Sequence, residues 1–583
     1  MQHVSDRLFC CSWLRRKIPL SHRDELYHIL RMTGPVLVSR ILQYMLPFVV
    51  TVFCGRLGNN VMAAYGLATA FVNITTISTG TGLGLACDTL VSQTFGGKNL
   101  LRVGVILQRG IIILLLFCLP CIALMVNSES ILLCLAQDPE VARIAQIYNL
   151  AFIPAIPALF VYQLQVSYLQ NQGIILPQMY TAVVANIANV VTHYILITWL
   201  DLGVGGSAAA NSLSQIYLCV FLFIYIWWKK LHVNTWGGWS RDSLQEWGAF
   251  MKLAVPSTLM RCFEWWVYEI GGIFAGMLGG DELAAQHVVL MVAYIVYMFP
   301  LAIQAAACAR VGNALGAGDT ERAILTCRMS FGLSTSFTLV EGVILFATKS
   351  VIAYIFISDE NIVSLVAYLM NVYAVLQAFD GIVCVSFGVF TGTGKQKIPA
   401  VSNFVGYYII GVTLCVTLTF VVKMGIIGFW LGILCAATLQ SIFFIIVIVK
   451  FDWTTITEEA VKRAQKTSVA PLLGKDGAAG DQEGAQFADG LMLKTNGEAA
   501  KQNGHVASAK KRDNLSLSQL IIRRGLVTLA AFAVLAVGLC VYFIVPLPEP
   551  VGWLSNSTAG LTNSTLDWSN TTTTAAALLS YTT

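Results

Sequence analysis

The chain has 583 residues, of which 56% are hydrophobic and 11% are charged, and its mean hydropathy is +0.71. A soluble globular protein carries about 25% charged residues, so the composition excludes that class and predicts a multi-pass membrane protein in contact with the lipid bilayer. The net charge of +5 is small for this length and gives no indication of a nucleic-acid partner.

Residues 1–31 are predicted to form a cytoplasmic N-terminal segment. They contain the basic cluster Arg15-Arg16-Lys17 and lack the long apolar core of a secretory signal. Ser21 and Asp24 have the spacing of a capping box, which predicts a short separate helix before the first membrane span. A position on the membrane surface would suit this helix.

Thirteen apolar stretches follow, each long enough to provide the ~20 residues that cross a bilayer. Six lie in residues 32–230, six in residues 231–450 and one in residues 521–548. Basic residues such as Lys229 and Lys230 occur in every second loop, and acidic residues predominate in the other loops. Because cytoplasmic loops carry the excess of basic residues, the N-terminus is predicted to be cytoplasmic and the C-terminus extracellular.

Two segments outside the spans differ in composition. Residues 451–520 are rich in Gly, Ala, Lys, Glu and Gln and poor in aromatic residues, which is typical of a disordered cytoplasmic linker. Residues 549–583 form the predicted extracellular tail. This tail contains three N-glycosylation sequons, which begin at Asn556, Asn563 and Asn570.

The chain repeats itself at an offset of 221 residues, and the repeated positions include prolines and glycines, so backbone breaks recur along with apolar residues. Matched pairs are Pro35 and Pro256, Arg40 and Arg261, Leu57-Gly58 and Leu278-Gly279, and Gly173 and Gly394. We call residues 32–230 the first repeat and residues 231–450 the second repeat. Because each holds six spans, both have the same orientation, and parallel repeats with a site at their interface are typical of transporters.

Two acids, Glu264 and Glu269, lie inside the apolar stretch at 249–279. A charge at bilayer depth costs several kcal/mol unless it is paired, protonated or facing water. Tyr268 and Trp265 each lie one helical turn from an acid, and an acid beside an aromatic wall suits an organic cation. These residues therefore form a candidate proton and cation site.

An alternative interpretation of this stretch is structural. Arg261 stands three residues before Glu264, so the two side chains share a helix face and can form an ion pair. In that case Glu264 would stabilise the helix rather than carry protons.

Asp380, in the tenth apolar stretch, is a third candidate acid, and Glu341 is a weaker one that could snorkel to the outer surface. In the first repeat, Gln43 and Phe48 stand where the second repeat has its two acids. The second repeat is therefore expected to hold the proton chemistry.

Signals for metals, nucleotides or enzymatic catalysis are weak. Cys118 and Cys121 form a C-x-x-C motif, but it lies in a membrane stretch without further ligands. Thr393-Gly394-Lys395 lacks the spacing and the hydroxyl residue of a phosphate-binding loop. We therefore expect no metal, no cofactor and no enzyme activity, and an ion gradient as the energy source.

Four segments resemble the multidrug and toxin extrusion (MATE) transporters, in particular the vertebrate branch with a thirteenth span. They are CFEWWVYE at 262–269, ACDTLVSQ at 86–93, RVGNALGAGD at 310–319 and GTGKQ at 392–396. The resemblance covers about residues 30–450. It implies an all-α membrane protein in which two six-helix lobes form a V around a central cavity. It also implies a proton-coupled antiporter that exports organic cations and drugs across the plasma membrane and acts as a monomer.

The resemblance also assigns residues. It implies that Glu264, Glu269 and Asp380 serve transport and that Asn73 is a polar cavity residue of the first lobe. Three positions depart from the vertebrate pattern: Arg40 stands where a neutral polar residue is usual, Arg261 adds a second cation, and Met291 replaces a glutamate. With less negative charge, anionic or zwitterionic substrates come into question, and a flippase or exporter of such substrates or of lipid-linked ones is the alternative function.

Overall fold

A computed structural model describes residues 19–135, 137–357, 359–465 and 516–547, and regular structure within these ranges is entirely helical. The helices used below are α1 (Leu20–Leu57), α2 (Asn60–Gly96), α3 (Leu100–Val126), α4 (Pro139–Phe152), α5 (Ala155–Gln170), α6 (Leu176–Trp199), α7 (Gly203–Trp228), α8 (Trp247–Leu278), α9 (Gly280–Gly316), α10 (Thr320–Thr348), α11 (Glu360–Thr393), α12 (Lys397–Val421), α13 (Ile426–Val449), α14 (Trp453–Ala464) and α15 (Leu517–Ile544).

Eleven helices of the described ranges are long and apolar enough to cross a membrane, and the pair α4 and α5, bent by 56°, makes a twelfth span if taken together. The eleven do not include α8, the helix of the predicted acids, because its charged side chains reduce its apolar character. With 32 residues, α8 is about 48 Å long, which exceeds the ~30 Å of a bilayer core. The helix can therefore span the membrane only if its charges are accommodated by protein.

The duplication predicted from the sequence is visible in the backbone. Gly173 and Gly394 both have φ of +77°, and Gly203 and Gly425 have φ of +53° and +69°. A left-handed backbone favours glycine, so the chain turns in the same way at equivalent points of the two repeats. These turns precede α6 and α7 in the first repeat and α12 and α13 in the second.

The prediction of a short, separate N-terminal helix is wrong. α1 begins at Leu20 and continues without a break to Leu57, and Ser21 does not cap it, since Pro19 occupies the N-cap position. The polar first turns remain in the helix because Glu25 is buried and paired with Arg310 of α9. Residues 1–18 lie outside the described ranges.

The prediction of disorder for 451–520 is wrong at its two ends. The segment α14 is helical, its N-cap Asp452 accepts a hydrogen bond from the backbone N–H of Thr455 at 3.2 Å, and its apolar residues Ile456 and Ala460 are buried in a cluster with residues of α9. The final predicted span also starts earlier, with α15. Residues 466–515, and the tail with its three sequons, lie outside the described ranges.

The two repeats touch directly at the C-terminal ends of α2 and α9. A Cβ atom on Gly96 would lie 2.0 Å from the carbonyl oxygen of Asn313, and one on Gly316 would lie 1.9 Å from that of Gln93. The Gln93 side chain also donates to the carbonyl oxygen of Gly392 at 2.9 Å. Since only glycine allows such close backbone approach, these contacts fix the C-terminal ends of α2 and α9 together.

Candidate functional site: buried carboxylates and an aromatic group between the repeats

Glu264 is held by two neighbours inside the second repeat. Its side chain accepts a hydrogen bond from Arg261 at 3.1 Å and another from the Tyr297 hydroxyl of α9, and the residue is only 3% exposed. The ion pair that the sequence suggested as a structural alternative is therefore present. It explains how a carboxylate is tolerated at this depth, because a buried charge requires a partner and hydrogen bonds.

Asp380 of α11 interacts with Glu264 and with Tyr268. The Tyr268 hydroxyl donates a hydrogen bond to its carboxylate, and Glu264 is close enough for the two acids to repel each other electrostatically. Tyr407 lies within electrostatic range of both acids. The structure thus brings together three residues that the sequence analysis selected, Glu264, Tyr268 and Asp380, on two helices of the second repeat.

Glu269 lies apart from this acidic pair. It is partly exposed, and within the described part of the chain its carboxylate has no hydrogen-bond partner. Its charge acts on Tyr294 of α9. Glu269 is therefore a free acid beside an aromatic ring, while Glu264 and Asp380 are already engaged.

Three aromatic rings connect the two repeats next to Glu269. Trp265 of α8 stacks on Tyr294 with ring centroids 6.2 Å apart, and Tyr294 contacts Tyr44 of α1 at 6.3 Å. The Tyr44 hydroxyl lies 3.5 Å from the sulfur of Met291. We call Tyr44, Trp265 and Tyr294 the inter-repeat aromatic group, and Met291, one of the predicted specificity positions, lies at its edge.

Arg40 lies one turn before Tyr44 on α1. It is partly exposed, and no carboxylate of the described residues lies within 4 Å of its guanidinium group. Asp88 and Arg261 are within electrostatic range. Of the two arginines noted in the sequence, Arg261 is therefore neutralised by Glu264, while Arg40 forms no ion pair with any residue that the structure describes.

Comparison with known proteins identifies the family. The MatE family model matches residues 35–195 and again residues 256–417, so its second match starts 221 residues after the first (256 − 35) and ends 222 residues after it (417 − 195). A protein from Danio rerio named multidrug and toxin extrusion protein 1 is 48% identical over 91% of this chain and 92% of its own. The chain belongs to the MATE family.

Two further comparisons agree. A Xenopus tropicalis protein with the same name is 49% identical over 78% of this chain and 79% of its own. The crystal structure of the eukaryotic MATE transporter AtDTX14, at 27% identity, superposes with a TM-score of 0.73 and covers 76% of this chain and 100% of that one. The predicted family, the all-α multi-pass fold and the assignment as a transporter rather than an enzyme are confirmed.

One buried acid of this MATE chain, Asp88, was not among the site residues predicted from the sequence. Asp88 lies in α2, is 8% exposed and accepts a hydrogen bond from the Asn171 amide at 2.7 Å. The first repeat therefore also carries a buried acid within a long apolar helix, which the sequence comparison of Gln43 and Phe48 with the two acids of α8 did not reveal. The second apolar stretch was predicted at about residues 61–85 and thus ended three residues before Asp88, although the small residues Ala86 and Cys87 that follow it are buried as well.

The remaining candidates occupy less central places. Asn73 begins a π-helical turn of α2, and no hydrogen bond of the described residues joins it to the acids. Both carboxylate oxygens of Glu341 are buried without a hydrogen-bond partner in the described ranges, so the side chain does not snorkel. Cys118 and Cys121 are buried free thiols, and the described residues contain no group of three or more His, Cys, Asp or Glu suited to a metal ion.

Proposed function

We propose that this MATE transporter is a proton-coupled antiporter of the plasma membrane that exports organic cations and other xenobiotics. The observation that carries the proposal is the interaction of Glu264 with Asp380, two acids in one repeat surrounded by tyrosines. The Danio rerio and Xenopus tropicalis relatives are named multidrug and toxin extrusion proteins, which supports drugs and organic cations as the substrates.

The acidic pair supplies a physical basis for coupling. Two carboxylates that share a desolvated site repel each other, so binding of one proton relieves the repulsion. A substrate cation relieves the same repulsion, and the two ligands therefore compete for one negative charge. A proton arriving from outside would release the cation outward, and the deprotonated site would then bind the next cation from the cytoplasm.

The proposal includes the wider arrangement of the chain. Basic inner loops favour a cytoplasmic N-terminus and an extracellular C-terminus, and the two repeats are proposed to be lobes around a central cavity. One chain contains both repeats and all the acids of the site, so a monomer suffices. The proton gradient supplies the energy, and no cofactor is needed.

Two substitutions test the role of the acids. Asp380→Asn and Glu264→Gln each keep the side-chain volume and remove the charge, so both are expected to reduce proton-driven uptake of tetraethylammonium into proteoliposomes to background. Asp380→Asn is the cleaner variant because Asp380 is not the ion-pair partner of Arg261. Asp281→Asn is the matched control, since this acid is exposed in the first turn of α9.

One result of these transport measurements contradicts the proposal. If Asp380→Asn and Glu264→Gln are recovered folded and transport tetraethylammonium at the wild-type rate with unchanged pH dependence, these acids do not carry the proton.

A lipid flippase on the same scaffold has less support, because it would draw on two free arginines and Arg261 is already bound to Glu264.

A further inference from the structure

A groove with a volume of about 430 Å³ lies among four helices of the second repeat, and none of the candidate site residues lines it. Its walls come from α10, α11, α13 and the start of α14. The residue that α11 contributes is Ile382, which stands two positions after Asp380 and therefore on the opposite side of that helix. The groove thus faces away from the acids and from the boundary between the repeats, on the side that a bilayer covers.

The groove follows the helix axes over the depth of one lipid leaflet. Along α10 its lining runs from Ile324 to Thr335, which is 11 residues (335 − 324), or about 16 Å of helix and half of the ~30 Å of a bilayer core. Arg328 and Trp453 lie toward one end, and Thr335 and Ile382 lie at the other. Trp453 follows the end of α13, and tryptophan is enriched where a membrane meets water. The polar end of the groove is therefore at the membrane surface and its apolar end is among the lipid chains.

Arg328 supplies a positive charge at the polar end. Its side chain is exposed, and it forms no hydrogen bond or ion pair with any residue that the structure describes. Lys450, directly after α13, adds a second exposed cation. The neighbouring acid Asp452 is already engaged, since its carboxylate accepts from the backbone N–H of Thr455 at 3.2 Å and from the hydroxyl of the same residue at 2.5 Å. An arginine at the edge of the bilayer favours a partner of opposite charge, and here the protein leaves that partner to be supplied from outside.

We propose that this groove is a binding site for an anionic glycerophospholipid of the cytoplasmic leaflet. The lipid phosphate binds Arg328, whose planar guanidinium group matches a phosphate, and one acyl chain lies along Phe331 and Ile448. Basic pockets between membrane helices on the cytoplasmic side are suited to such headgroups. The inference is independent of the transported substrate, and it takes from the proposed function only that this end of the helices is cytoplasmic.

The bound lipid is expected to stabilise the contact between the two repeats as well as the groove itself. Trp453 belongs to α14, and the far end of this helix reaches the first repeat. There Arg463 donates to the Gln93 side chain of α2 at 3.0 Å, and the carbonyl oxygen of Ala464 accepts from Asn99 at 3.1 Å. A lipid that packs on Trp453 therefore supports a helix that joins both repeats, and a ligand that binds only the folded protein raises its stability.

The test measures the melting temperature of the full-length protein in a neutral detergent while phosphatidylserine is added. We expect a saturable rise of at least about 3 °C. Phosphatidylcholine with the same acyl chains has no net charge and is expected to give less than about 1 °C. In Arg328→Gln the phosphatidylserine concentration at half of the maximal rise is expected to increase at least about tenfold, because a charge-assisted hydrogen bond to phosphate is lost.

Three further variants separate the groove from a general charge effect. Arg241→Gln is the matched control, because it removes the same charge from an exposed arginine in the segment before α8, and it is expected to respond to phosphatidylserine like wild type. Arg328→Lys keeps the charge and is expected to retain part of the response. Thr335→Trp narrows the apolar end at an exposed position, so it is expected to weaken the response although Arg328 is unchanged.

Several outcomes overturn the lipid site. These are an equal rise with phosphatidylcholine and phosphatidylserine in wild type, or an undiminished response to phosphatidylserine in folded Arg328→Gln. Glycerophosphoserine, the same headgroup without acyl chains, also overturns it if it raises the melting temperature as much as the lipid does, because the site then binds a free anion. If Arg328→Gln is not recovered folded, Thr335→Trp and the comparison of the two lipids decide the question. The proposed antiport is tested separately by uptake of tetraethylammonium, so either proposal can fail without the other.

Discussion

The ion pair of Glu25 with Arg310 is expected to control opening of the inner end. Glu25 belongs to α1 and Arg310 to α9 of the second repeat, and the guanidinium group donates to both carboxylate oxygens at 2.5 and 2.6 Å. Thr326 donates a further hydrogen bond at 2.7 Å, and the Glu25 side chain is 5% exposed. A transporter that alternates access must separate its repeats here, so we expect these contacts only in the state in which this end, proposed to be the inner one, is closed.

The structure sets the size of the effect. Removing one partner of a buried, hydrogen-bonded ion pair costs about 3–5 kcal/mol. Glu25→Gln keeps an oxygen that can still accept from Thr326, so we take the lower value of about 3 kcal/mol. If the pair is lost on opening, the substitution shifts the equilibrium toward the open inner end by roughly a hundredfold, since 1.4 kcal/mol corresponds to a factor of ten.

The assay follows the reactivity of Cys308, a buried free cysteine one turn from the close contact at Gly312 on α9. Inside-out vesicles are treated with a membrane-impermeant maleimide, and labelling of Cys308 is measured by peptide mass spectrometry. Glu25→Gln is expected to label at least about tenfold faster than wild type, because each tenfold requires only 1.4 kcal/mol. Glu321→Gln, which changes an exposed acid at the start of α10, is expected to label like wild type. Wild-type labelling in a folded Glu25→Gln protein would refute the reasoning.

Two other predictions concern specificity and topology. Met291→Glu places a carboxylate beside Tyr44, which already contacts the Met291 sulfur. One unit charge at ~6 Å and an effective dielectric of ~20 is worth roughly 3 kcal/mol before screening, so the KM for tetraethylammonium should fall at least about twofold, and an unchanged or higher KM contradicts the electrostatic account. The sequons at Asn556, Asn563 and Asn570 predict that endoglycosidase treatment reduces the apparent mass and that an epitope tag after Thr583 stains intact cells. A tag that stains only permeabilised cells contradicts the orientation.

Much of the fold and part of the site could be predicted because they depend on residue type and spacing alone. Prolines and glycines at a constant offset indicate the duplication, since a proline inside a helix or a left-handed turn constrains the backbone wherever it occurs. The acids of α8 stand out because charges are costly at bilayer depth. Both signals are local, and both agree with the positions of Gly173, Gly394 and Glu264 in the structure.

The residues that were missed depend on partners far away in the sequence. Asp88 is stabilised by Asn171, 83 residues later, and Glu25 by Arg310, 285 residues later. Hydropathy alone therefore ended one span before Asp88 and gave no partner for Glu25. The helix α14 was missed for a different reason, because the average composition of 451–520 conceals a short amphipathic stretch at its start.

The first repeat contains a neutral counterpart of the proposed proton site, and this is the reason to expect that Glu264 can be replaced without loss of the fold. Gln43 stands 221 residues before Glu264, and its amide donates to the Tyr162 hydroxyl at 3.0 Å and to Ser39 at 3.1 Å. Arg40 stands three residues before it, as Arg261 stands before Glu264. The scaffold therefore already accommodates an arginine and an amide at these equivalent positions, with the amide bonded to a tyrosine hydroxyl. Glu264→Gln should reproduce it in the second repeat, so a folded but uncoupled protein is the expected result, and the proton chemistry is carried by the asymmetry between the repeats.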